Sequence, residues 1–251
     1  MLTVASDDLT VTLDPLNGGR IASIVAFGED RLVSEVPRPS SWGAFPMVPW
    51  AGRVRHGKFT FEGVDYEMPI NHPPHAMHGT AYTSDWEAVG PDSMRLELVD
   101  PWPFGGHTIH RASVDGATAR FRLEVHAADR PMPAMAGWHP WYRKPVELTF
   151  TAAQMYEKDD EDIPTGRLVD PPPGPWDDTF TGLAGPPVLR WPDGTTLTIT
   201  SSCDHWVIFT QPDHALCVEP QTGPPDAFNL APQIVEPGSP LIAEMTLTFT
   251  R

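Results

Sequence analysis

The amino-acid sequence predicts an all-β protein, a large antiparallel β-sandwich, on three observations. Apolar residues recur with period two, glycine-bearing turns separate the alternating segments, and no segment combines helical period, caps and adequate length. Leu9, Val11 and Leu13 make the first alternating set, and Phe121, Leu123 and Val125 the second. Val146, Leu148 and Phe150 follow, then Leu197 and Ile199, then Met245, Leu247 and Phe249. Side chains two apart leave a strand on the same face, so each set reads as a half-buried strand. Between them, Glu62-Gly63, Asp115-Gly116 and Asp193-Gly194 offer the positive φ that tight hairpins require. Strands joined in series by hairpins give an antiparallel sandwich. Loops are expected at 36–49, 71–79, 159–166 and 170–185, where prolines, glycines and acids replace alternation.

The chain reads as a single domain, 1–251, because no stretch has the composition of a linker and no internal repeat is present. With 33 acidic and 17 basic residues the formal charge is -16, a field that repels phosphate backbones and anionic lipid surfaces. Neither nucleic acid nor membrane is an expected partner. No apolar run approaches the roughly 18 residues that cross a bilayer, and the first residues lack the basic and apolar regions of a secretory signal. A cytoplasmic address is expected. Cys203 and Cys217 are too few for a disulfide framework and fit a reducing compartment in which both stay thiols.

Three short segments concentrate polar groups among aromatic or apolar neighbours. They are His78-Gly79, followed by Trp86; Gly137-Trp138-His139-Pro140-Trp141-Tyr142; and Cys217-Val218-Glu219-Pro220-Gln221-Thr222. His139 and Glu219 each precede a proline, which biases the backbone toward the extended region and fixes how the side chain leaves the strand. If Glu219 turns inward from the apolar run 215–218, it is desolvated and its pKa rises, as suits a general base. A buried salt bridge, or a strand-end carboxylate facing water, fits the same local sequence. Around His139, the rings of Trp138, Trp141 and Tyr142 offer flat faces of the kind that pack on sugar C–H groups, and imidazole titrates near neutrality. A core histidine bonded to backbone fits that context equally.

Regular spacing does not make His72, His75 and His78 a metal cluster. Residues three apart on an extended segment face opposite sides, and Pro73 and Pro74 prevent the helical turn that would gather them. The acids at 159–162 lack the alternation and glycine of a calcium loop. Phosphate-loop, dinucleotide and nucleophile-elbow motifs are absent. The sequence therefore calls for no metal and no cofactor.

Taken in order, NGGRIASI, FPMVPWAGRVRHGKFTFEG, HAMHGTAYTSDW, GWHPWYR, IPTGRL, WDDTF and CVEPQTGPPDAFN resemble the aldose 1-epimerase (galactose mutarotase) family, particularly a bacterial mutarotase-like branch. The resemblance spans almost the whole chain. It implies the galactose mutarotase-like supersandwich, a free aldose bound on its concave face, and a monomer or homodimer. It also implies roles: Glu219 as general base, His139 as general acid, and His78 as an assisting donor near the ring oxygen. Arg53 and Asp178 match positions that bind sugar hydroxyls, and Trp86 and Trp141 would line the pocket.

In the implied reaction Glu219 takes the anomeric hydroxyl proton as His139 protonates the ring oxygen. The ring opens, the aldehyde carbon turns, and closure gives the other anomer. Two departures touch the substrate-reading groups. Many galactose mutarotases have Asn-Arg where this chain has Gly52-Arg53, and an Asn-His-Ser context where it has Trp138-His139-Pro140. A non-catalytic carbohydrate-binding sandwich would need the aromatics and Arg53 but could discard Glu219 or His139, and both are present. A hexose-phosphate 1-epimerase would need converging arginines, for which Arg53, Arg55 and Arg143 are candidates, against the acidic balance of the chain.

Overall fold

A computed structural model describes residues 1–34 and 36–251. The alternating segments are strands whose apolar face is buried. Leu9–Asp14 buries Leu9, Val11 and Leu13, Thr118–His126 buries Phe121, Leu123 and Val125, and Leu241–Thr250 buries Met245, Leu247 and Phe249. Near residue 148 the strand is short, Glu147–Thr149, and its apolar side chains are only partly buried. The glycine-bearing turns close hairpins as expected. Glu62 (φ 52°) and Gly63 (φ 76°) join Lys58–Phe61 to Val64–Glu67, and Gly116 (φ 54°) sits between His107–Asp115 and Thr118–His126.

These elements assemble into an antiparallel sandwich of an eleven-stranded and an eight-stranded sheet. The middle of the larger sheet runs Arg20–Ala26, Ala44–Met47, Gly137–Arg143, Ala215–Gln221, His205–Phe209 and Asp177–Leu183 in spatial order. The middle of the smaller runs His107–Asp115, Thr118–His126, Leu241–Thr250 and Thr196–Ser201. One core draws on both: Trp138, Phe180 and Ile208 from the first, Phe121, Leu123 and Leu247 from the second. Among the described residues, helical structure is limited to the single turn Ala227–Leu230 and short 3-10 turns. Among the described residues, no helix is long and apolar enough to cross a membrane. Cys203 and Cys217 are both free and buried.

Two expected loops prove to hold central strands. Ala44–Met47 lies inside 36–49, and Asp177–Leu183 inside 170–185. Ala44–Met47 is buried throughout, as is Ala215–Gln221, and Gly137–Arg143 is buried up to its last residue. A strand covered on both faces loses the alternation by which half-buried strands are recognised.

A polar chain crosses the core. His110, on the smaller sheet and fully buried, accepts a hydrogen bond at Nε2 from Trp138 Nε1 (3.0 Å) on the larger one and donates from Nδ1 to the Gly19 carbonyl (3.0 Å), in the turn that precedes Arg20–Ala26. Because the indole can only donate, the ring must be neutral with its proton on Nδ1. Gly19 has φ +61°, and a Cβ there would lie 2.4 Å from the Trp86 ring, so the backbone reaches His110 only as glycine. Burial pushes the His110 pKa down to about 4. In the unfolded chain the same imidazole takes a proton near its ordinary value, so between that pH and about 4 the unfolded state binds the extra proton. The contribution of neutral His110 is therefore complete above the ordinary value and lost as pH falls, by up to about 3 kcal/mol. Denaturant unfolding measured from neutral to mildly acidic pH should show this loss, and a His110→Gln variant should show a shallower slope. Equal slopes in the two proteins would contradict the assignment.

Candidate active site

The face of the larger sheet turned away from the core carries a cavity of about 510 Å³. Alternation along the strands explains what lines it. In Gly137–Arg143, Trp138 and Tyr142 enter the core, so His139 and Trp141 leave on the other face. Trp141 pairs with Cys217 and Gly137 with Gln221, which sets His139 opposite Glu219. On the next strands Glu219 pairs with Val207, Val207 with Thr179, and Phe209 with Asp177. Glu219, Gln221, Thr179 and Asp177 thereby share the cavity with His139.

At its floor the Glu219 carboxyl lies 3.2 Å from His139, Oε1 to Nε2, with the two side chains only 2% and 8% exposed. Gln221 Nε2 donates to the second carboxyl oxygen (3.3 Å). The imidazole is gripped between the rings of Phe45 (centroids 4.8 Å apart, 27°) and Trp141 (5.0 Å, 12°). Burial, and then the Asp177 charge, push the Glu219 carboxyl well above the usual carboxylate range, while the Gln221 bond and Arg53 pull the other way. Burial pushes His139 down to about 3. Both directions favour the uncharged forms. In those forms a single proton lies between the carboxyl and Nε2, whose atoms are within hydrogen-bond reach.

His78 meets His139 edge to face at 5.2 Å and Phe45 at 5.6 Å. Its backbone is left-handed (φ 63°), and Gly79 follows with φ +74°, where a Cβ would lie 2.0 Å from the Val48 carbonyl oxygen. This close approach holds the turn that aims His78. Burial, then His139 and Arg53, hold the His78 ring neutral by lowering its pKa well below the ordinary value.

The cavity brings together His78, His139, Glu219, Arg53 and Trp141. Trp141 lines it, yet His139 and His214 stack on its two sides (5.0 Å at 12° and 5.9 Å at 10°), so the indole presents an edge rather than a face. Two expected lining residues lie elsewhere. Trp86 is buried against Gly19 and donates to the Ala81 carbonyl (3.0 Å), packing beneath the loop rather than in the pocket. Asp178 points opposite to Asp177 along its strand and faces the Lys158 ammonium at 3.3 Å, so Asp177 is the carboxylate in the cavity. Gln221 also lines the cavity, and Phe45, fully buried, stacks on His139 behind it; neither is among the site residues expected from the sequence. Phe45 sits in an unrecognised strand, and Gln221 is visible only through its two-residue spacing from Glu219.

The histidines at 72, 75 and 78 do not gather. His72 and His78 line the cavity, while the His75 ring lies against the Glu161 carbonyl (3.0 Å) and accepts from the His56 amide (3.2 Å). Among the described residues, His139, Cys217 and Glu219 offer a nitrogen, a sulfur and an oxygen all within 4.8 Å, the donor set with metal-ligand character. Nor do the other arginines converge. Arg55 is tied to Asp159 and Glu161, and Arg143 donates to the Leu32 carbonyl and Ser34.

The family model described as aldose 1-epimerase matches residues 2–248. YphB, an uncharacterized protein of Escherichia coli K12, is 28% identical over 105 residues, covering 39% of this chain and 36% of that protein's length. A galactose mutarotase-like protein from Clostridium acetobutylicum superposes with a TM-score of 0.88 at 14% identity, covering 99% of this chain and 94% of the other. Galactose 1-epimerase from Lactobacillus acidophilus gives 0.82 at 15% identity over 99% and 93%, and an aldose epimerase homologue from C. elegans 0.83 at 18% over 100% and 98%. At these identities the likeness establishes the fold, that of the galactose mutarotase-like proteins.

Because the Asp177 charge raises the Glu219 pKa, Asp177→Asn should lower it while leaving it above the ordinary value, burial being the larger cause. Carbon-13 NMR of labelled glutamate side chains across pH measures this directly. An unchanged or higher Glu219 pKa would show that Asp177 does not act on it.

Proposed function

The chain belongs to the aldose 1-epimerase family, and from that premise we propose that it is a mutarotase, interconverting the α and β anomers of an aldose held in this cavity. The single observation that carries the reading is the buried Glu219–His139 contact. Mutarotation needs one proton taken from the anomeric hydroxyl and one given to the ring oxygen, and a pair holding one proton between two sites can do both in one turnover.

Binding of the cyclic sugar shifts the proton from Glu219 to His139, a shift the nearby Arg53 charge favours by stabilising the carboxylate. Glu219 then accepts the anomeric proton while His139 delivers its own to the ring oxygen. The C1–O5 bond breaks with its electron pair going to O5, and the C1 hydroxyl oxygen becomes the aldehyde oxygen. At this point the pair is again a carboxyl and a neutral imidazole, the same arrangement as in the free protein. Rotation about C1–C2 turns the aldehyde, and the reverse transfers close the ring as the other anomer.

His78, kept neutral, hydrogen-bonds the sugar without competing for that proton. Arg53, Asp177 and Thr179 supply polar partners for its hydroxyls, and the stacks on His139 keep the imidazole from turning away. Each positioned acid or base contributes roughly 10²–10⁴-fold. Glu219→Gln and His139→Asn should therefore each slow anomer exchange, followed by exchange NMR or polarimetry, by at least about 100-fold. Wild-type rates in Glu219→Gln would remove Glu219 as the base, and no acceleration by the wild type of any sugar it binds would end the mutarotase reading.

A further inference from the structure

We infer that the aldose taken by this cavity is anionic, its carboxylate or phosphate group held by Arg38, Ser40 and Ser41 together with Arg53; this rests on the mutarotase reading of the same cavity. The chain carries a formal charge of -16, yet its cavity is lined by Arg38, Arg53 and Lys158. Lys158 is occupied, donating to the Asp177 carbonyl (2.7 Å) and facing Asp162 and Asp178 at 3.3 Å. Among the described residues, the Arg38 and Arg53 guanidiniums have no hydrogen bond or ion pair. Acids were available to pair them, as they pair Arg55 close by in the sequence.

On the acidic side of the cavity, burial pushes Glu219 toward its uncharged form, Asp162 faces Lys158, and Asp177 has no ion pair among the described residues. With Lys158 shared between Asp162 and Asp178, Arg38 and Arg53 are the lining cations left to meet an anionic group, inside a strongly negative molecule.

The wall around Arg38 is also built. Arg38 is the N-cap residue of the 3-10 turn Pro39–Ser41, and Arg38, Ser40 and Ser41 all line the cavity, with neither serine hydroxyl bonded among the described residues. From behind, the buried Arg20 donates to the carbonyls of Pro39 (2.8 Å) and Trp42 (3.0 Å) and lies over the Trp42 ring at 4.0 Å. The turn is thereby fixed before any ligand arrives. A guanidinium flanked by hydroxyls is the donor set that carboxylate and phosphate oxygens accept from, and a neutral hexose has no group that would neutralise it.

The test compares glucose and galactose with their uronates and their 6-phosphates, by calorimetric binding and by anomer exchange, at low and high salt. At least one anionic member should bind, and be exchanged in kcat/KM, about tenfold or more better than its neutral parent, with the advantage shrinking as salt screens it. The uronate and phosphate arms tell the two sources apart. Arg38→Ala should collapse the anionic-to-neutral ratio by about tenfold. Neutral parents matching or beating both anions, or an unchanged ratio in Arg38→Ala, would overturn the inference while leaving the mutarotase reading intact. Tight anionic binding with no exchange would uphold the inference and overturn that reading.

Discussion

A carboxyl group and an imidazole in contact, almost sealed from water, set the terms for the rest of this molecule. Separated charges at Glu219 and His139 would lack the solvation that water provides, so the free pair keeps its single proton on the carboxyl and stays uncharged. That state depends on the walls. Gly137–Arg143 and Ala215–Gln221 are buried on both faces, and the Phe45 and Trp141 rings close over the imidazole. Register is equally demanding, since a slip of one residue in Ala215–Gln221 would turn Glu219 into the core and Val218 into the cavity.

The core supports the site through the same strands. Trp138 precedes His139 and is held from the far sheet by His110, so a bond across the core fixes the strand on which the acid stands. His110 in turn requires the Gly19 carbonyl, and Trp86 packs on that glycine. Trp86 thus serves the site from beneath, through Gly19, His110 and Trp138. Arg20 plays a comparable part for the cavity wall, with its charge buried and its Nη1 donating to the carbonyls of Pro39 and Trp42, at the turn that carries Arg38 and the serines.

What the sequence disclosed follows from how each element is buried. Leu9–Asp14, Thr118–His126 and Leu241–Thr250 have one wet face and one dry face, so their alternation is legible. Ala44–Met47 has none because both faces are covered, and with it Phe45 was lost. His78, His139 and Glu219 were legible from aromatic context and prolines, and from motif order along the chain. Asp177 and Asp178 are neighbours of one type, and only strand direction separates them. Trp86 is close to His78 in sequence, but a turn sends its ring under the loop. Arg38 belongs to no motif, and its place at the cavity depends on a turn held by a residue eighteen positions earlier.

The proton shared by Glu219 and His139 is the point on which the account stands. Nitrogen-15 NMR of His139 in the free protein, followed between about pH 5 and 8 where an ordinary histidine changes charge, reads it directly. The account predicts a neutral ring throughout, Nε2 accepting a hydrogen bond from a protonated Glu219. An imidazolium beside an ionised carboxylate, titrating within that window, would contradict it.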